Sequence, residues 1–156
     1  MNLLVKPVLQ ALVVADRIYE DKAGKKIIVG TFNSWMFSRK PTVEHVEHPN
    51  GTKGQIIFGG MQAGSPSAYL SLTDVCDGTK LLLRFVNLTK NIVIFSTEGA
   101  VQNVNRLEMV ELVFPLPVLP IGEAGTYALE VLCEGDILGS WRIVGIDMDS
   151  KTKLEG

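Results

Sequence analysis

The chain has 156 residues, 46% of them apolar and 21% charged, and a formal net charge of −2. This length suits one domain with a sizeable core that needs no metal or disulfide, and the composition excludes wholesale disorder. With a pI near 5.7, the surface lacks the positive field that nucleic-acid binding requires, and no polybasic patch suits a membrane.

The first apolar burst, "VLQALVVADRIYE", ends in "DKAGKK", where Gly24 supplies a turn, and "IIVGTF" follows; the pair reads as a β-hairpin. The apolar N-terminus reads as this first strand rather than a signal peptide, because Pro7 and Gln10 interrupt it. The stretch from Asn33 to Pro66 is rich in proline and glycine and reads as an irregular loop, with "QIIF" as its one short strand. Beyond it, "AYLSLTDV", "LLLRFVNL" and "NIVIF" read as strands, the first two joined by an Asp77-Gly78 turn. "EGAVQNVNRLEMVEL" lacks a sustained helical stripe, so a loop followed by the strand "MVELVF" is expected, with Val110, Leu112 and Phe114 on one face. "PLPVLP" is too proline-rich for a central strand and reads as an edge or a crossover between sheets. "TYALEVL" and "ILGSWRIVGI" are the last two strands, with Gly135 in the turn between them. Residues 1–148 are expected to form one domain and 149–156 a polar tail.

About eight short strands with regular turn signals predict an all-β, two-sheet antiparallel sandwich. The stretch "GEAGTYALEV" narrows the choice. Gly125 permits a tight strand entry, and Tyr127 stands two positions before the core residue Leu129. That is the local pattern of a tyrosine corner, in which the phenol hydroxyl bonds upstream backbone at the start of the penultimate strand of immunoglobulin-like domains. The expected fold is therefore immunoglobulin-like, with a jelly roll or another sandwich as the alternative.

Four segments, "ALVVADRIYEDKAGKKIIVGTF", "YLSLTD", "VELVFPLPVLPIGEAGTYALEV" and "GDILGSWRIVGI", together span most of the chain. In them the sequence resembles a family of uncharacterised bacterial proteins, a domain of unknown function. The resemblance implies a two-sheet fold and a bacterial source. It implies no activity, ligand or catalytic residue.

Chemistry-bearing clusters are few. His45 and His48, beside Glu44 and Glu47, offer nitrogen and oxygen donors for zinc, but no second ligand cluster accompanies them. They read as a solvated polar loop. "FGGMQAGSPS" has neither the lysine nor the following helix of a phosphate-binding loop. No serine sits in a nucleophile elbow. Cys76 and Cys133 read as two reduced thiols, in keeping with a cytoplasmic protein. No catalytic, metal or cofactor residue is assigned. "NSWMF" places Trp35, Met36 and Phe37 consecutively, and three such residues cannot all point inward from a strand. They form the candidate interaction surface. The expected function is a non-enzymatic module acting through contact with a protein partner or with itself, without nucleic acid or membrane. A carbohydrate or small-ligand binder is the alternative, and an unrecognised enzyme the third reading.

Overall fold

The computed structural model describes residues 5–60 and 65–151, with side chains described except at 39–44, 55–60, 150 and 151. The chain is all-β. Among the described residues ten strands run in order: β1 Val8–Glu20, β2 Lys26–Thr31, β3 Ser34–Glu47, β4 Lys53–Gly60, β5 Ser67–Thr73, β6 Thr79–Asn87, β7 Ile92–Val101, β8 Val110–Pro115, β9 Gly125–Cys133 and β10 Asp136–Asp147. One short helical turn, α1 Met148–Lys151, follows.

The strands hydrogen-bond in the orders β2-β1-β5-β8 and β4-β3-β10-β9-β6-β7. Every pairing is antiparallel except that of β3 with β10, where Ser34–Phe37 runs parallel to Val144–Asp147. The expected all-antiparallel arrangement is corrected accordingly: β3 enters beside the last strand in the same direction as that strand.

Residues 33–66 also depart from the expected loop. Most of this stretch is a long hairpin, β3 with β4, in which His45 faces Gln55 and Glu47 faces Lys53. Its turn is closed by the Asn50 carboxamide, which accepts from the Thr52 N–H at 3.1 Å, and by Gly51 at φ +81°. The sequence signal is weak for a physical reason. His45 and Glu47 are exposed and Val46 is only half-buried, so no buried face imposes a period of two.

The first hairpin is tied off as expected. Asp21 Oδ1 accepts from the Ala23 and Lys25 N–H groups, both at 2.8 Å, and Gly24 takes φ +82°.

Both sets of strands feed one apolar core. Val14, Leu70 and Leu72 come from β1 and β5, while Leu83, Phe85, Leu129, Val131 and Ile143 come from β6, β9 and β10. Phe85 lies at the centre, stacked against Phe95 at 5.5 Å and against Tyr127 at 5.7 Å between ring centroids. At the rim, Leu9 of β1 covers Gly139 of β10 so closely that a Cβ there would run into Leu9 Cδ2.

Candidate interaction surface

Tyr127 is almost wholly buried, and its hydroxyl donates to the Glu123 carbonyl at 2.9 Å. Burial first, and then the nearby Glu123 charge, push its pKa upward. Two glycines make room for this arrangement. Gly125 lets the Thr89 hydroxyl come close enough to accept from the Thr126 N–H at 2.9 Å. Gly145, its cross-strand partner, lies against the tyrosine ring. A Cβ on Gly145 would stand 2.8 Å from Ile121 Cγ2, 3.1 Å from the Glu123 carbonyl oxygen and 3.2 Å from Tyr127 Cε2. Gly145 escaped the sequence reading, although a glycine inside a strand is a signal of close backbone approach.

The "WMF" triplet divides between two environments. Phe37 is 2% exposed and belongs to the core, so it is corrected from a surface residue to a packing residue. Trp35 is half-buried, set edge-on to Phe32 at 5.5 Å. Met36 alone points away, 60% exposed. Alternation along β3 explains the split, since Trp35 and Phe37 share the face opposite Met36.

His45 lies on β3 and His48 at the following turn, both exposed. Among the described residues no group of three or more His, Cys, Asp or Glu is placed to hold a metal ion. Cys76 and Cys133 are both free thiols, the second buried. Burial, and secondarily Glu134, raise the Cys133 pKa against the opposing effect of Lys6. A cleft of about 480 Å³ beside Cys133 is floored by Leu82 and Leu132. Three of its charged groups are engaged: Lys80 stands 4.0 Å from Glu98, and Asp77 accepts from the Asn103 N–H at 2.5 Å.

The outward face of the β2-β1-β5-β8 sheet has a different character. The row Leu12–Leu70–Leu112 faces the core, so the adjacent row Val13–Tyr69–Val113 faces away. On the same strand face of β1, Arg17 stands beside Val29 and Tyr19 beside Ile27. Tyr19, Ile27, Val29 and Val113 remain 48%, 46%, 46% and 37% exposed. Tyr69 gives its hydroxyl to Glu111, so the ring presents mostly apolar surface. Sequence reasoning assigned these aliphatic residues no surface role, because strand alternation alone does not say which face is covered.

These features define an all-β domain with exposed apolar residues on the outward face of one sheet and no helix, among the described residues, long and apolar enough to cross a membrane. The chain belongs to a family of unknown function, DUF6941, whose model matches residues 10–144. No curated protein matches it.

Proposed function

We propose that the chain is an immunoglobulin-like sandwich of bacterial, cytoplasmic origin that acts without catalysis, through protein contacts on the outward face of the β2-β1-β5-β8 sheet. The strand neighbours support the fold assignment. The set β1-β5-β8 corresponds to A-B-E, and β10-β9-β6-β7 to G-F-C-C′, of the immunoglobulin plan. Tyr127 then sits at the start of strand F, two residues before a core position, with its hydroxyl on backbone four residues upstream. That is the tyrosine corner, with Gly125 at its entry. The two free thiols fit a reducing compartment.

The observation that carries the functional reading is the exposure of Tyr19, Ile27 and Val29, side by side where β1 pairs β2, with Val113 further along the same face. Apolar surface gathered on one sheet face is what a protein partner covers, and tyrosine is favoured at such contacts. Site-specific photo-crosslinking in the native host tests the reading. Probes replacing Tyr19 and Val113 are expected to give discrete protein adducts, while one replacing Glu98 on the other sheet gives none. Adducts from Glu98 alone, or from no position, overturn it.

A further inference from the structure

We infer that β2 is a self-pairing edge: two copies of the chain join antiparallel through Lys26–Thr31, about a twofold axis at Ile28. This rests on the protein-contact reading above and names the occupant as a second copy.

Strand β2 is hydrogen-bonded on one side only, to β1, and no described strand lies beyond it. An open edge with unpaired N–H and C=O groups is a template for another strand unless it is blunted by charge, proline or a bulge. Two of the other three outer strands carry such devices. β8 contains Glu111 and ends in Pro115, and β7 contains Glu98 and a register shift opposite Phe85 and Val86. The single charge of β2 is Lys26, and its ammonium is turned back onto Glu20 at 2.9 Å. The remainder, "IIVGT", is uncharged and free of proline.

The strand is also self-complementary at one register. An axis at Ile28 sets Ile28 against the second copy's Ile28, Ile27 against its Val29, and Lys26 against its Gly30. On the outward face this gives the row Tyr19, Ile27, then the second copy's Val29 and Arg17, so each exposed aliphatic residue gains an apolar neighbour. Moving the axis to Ile27 would set Lys26 against Ile28, and moving it to Val29 would set Ile28 against Gly30. Neither keeps the apolar residues together.

Charge complementarity favours the same register. On the opposite strand face the row reads Glu20, Lys26, then the second copy's Gly30 and Asp16. Gly30 has no side chain to intervene. The Asp16 carboxylate lies over it, since a Cβ on Gly30 would stand 2.5 Å from Asp16 Oδ2. Among the described residues Asp16 has no ion-pair partner. In the pair, Lys26 would lie between its own Glu20 and the other copy's Asp16, twice by symmetry.

Sedimentation velocity of the purified chain over a concentration series tests this directly. A monomer–dimer equilibrium is expected. Changing Ile27→Lys and Val29→Lys together should leave only monomer, and Asp16→Lys should weaken association about five- to tenfold. These positions are exposed, so the fold tolerates the changes, which far-ultraviolet circular dichroism verifies. The register is read by cysteine pairing in a Cys76→Ser background. Ile27→Cys mixed with Val29→Cys should oxidise to a mixed disulfide dimer, whereas either protein alone should not. A chain that stays monomeric throughout overturns the self-pairing even where the Tyr19 probe still captures another protein. A dimer indifferent to the double lysine variant, or a disulfide formed by Ile27→Cys alone, also overturns it.

Discussion

Gly145 lies against the ring of Tyr127, separated from Cε2 by only 3.2 Å from where a Cβ would be. The same Cβ would stand 3.1 Å from the carbonyl oxygen that accepts the tyrosine hydroxyl. The Tyr127 ring, its hydroxyl's acceptor and the last strand are therefore fitted to one another. Gly145→Ala should destabilise the fold by about 1–3 kcal/mol, because neither a ring stacked on Phe85 nor a backbone carbonyl can yield freely. A drop in the urea midpoint measures this. An unchanged midpoint would mean that the packing around Tyr127 has slack.

Removing the hydroxyl itself probes the other half of the contact. Tyr127→Phe leaves the Glu123 carbonyl without its donor and should cost about 1–2 kcal/mol. The comparison is again of denaturation midpoints, and equal midpoints would show that solvent serves that carbonyl equally well.

The same tyrosine gives the stability a direction with pH. Burial raises its pKa above the ordinary value of 10.0, with Glu123 as the next cause. A folded-state pKa above the unfolded one means that the unfolded chain ionises first as pH rises. This contribution is whole below the unfolded value and is lost as pH climbs from there through the raised one. Melting temperatures from pH 8 to 11 should fall at the alkaline end, and Tyr127→Phe should flatten that fall. An equal slope in both proteins would assign the loss to other groups.

Strand β3 supplies a contrast within two adjacent residues. Phe37→Ala removes a buried ring and should cost about 3–5 kcal/mol, whereas Met36→Ser, on the exposed side, should stay within about 0.5 kcal/mol. Thermal melts of the two variants decide it. Similar losses would mean that Met36 is covered in solution.

The two thiols should react at different rates. The Cys133 thiol is buried and its pKa is raised, so little thiolate is present at neutral pH, while Cys76 beside the Asp77-Gly78 turn is half-buried. Titration with a chromogenic disulfide should show one faster thiol, lost in Cys76→Ser, and a second released on denaturation. Loss of the faster phase in Cys133→Ser instead would reverse the assignment.

Much of the fold was legible because β5, β6 and β9 each have a face in the core. Leu70 and Leu72, Leu81 and Leu83, and Leu129 and Val131 repeat every second residue where burial demands it. The β3–β4 hairpin was not legible, because its end carries polar residues on an uncovered strand. Phe37 was misplaced for a related reason: without a register for β3, three consecutive large residues gave no phase. The outward strip at Tyr19, Ile27 and Val29 looked like any half-buried hairpin. Only the exposure of these side chains in the folded chain shows that nothing described lies over them.

The parallel pairing of β3 with β10 has a consequence for synthesis. Residues 34–37 can gain their partner only when residues 144–147 have left the ribosome, roughly a hundred residues later. During that interval Phe37 has no completed core to enter, and the growing chain carries an apolar segment that nothing local can shelter. Closing so long a loop is slow compared with forming the hairpins β1–β2 and β6–β7. A nascent chain stalled before Val144 should therefore hold its early hairpins while β3 stays within reach of chaperones, and only the end of β10 withdraws it.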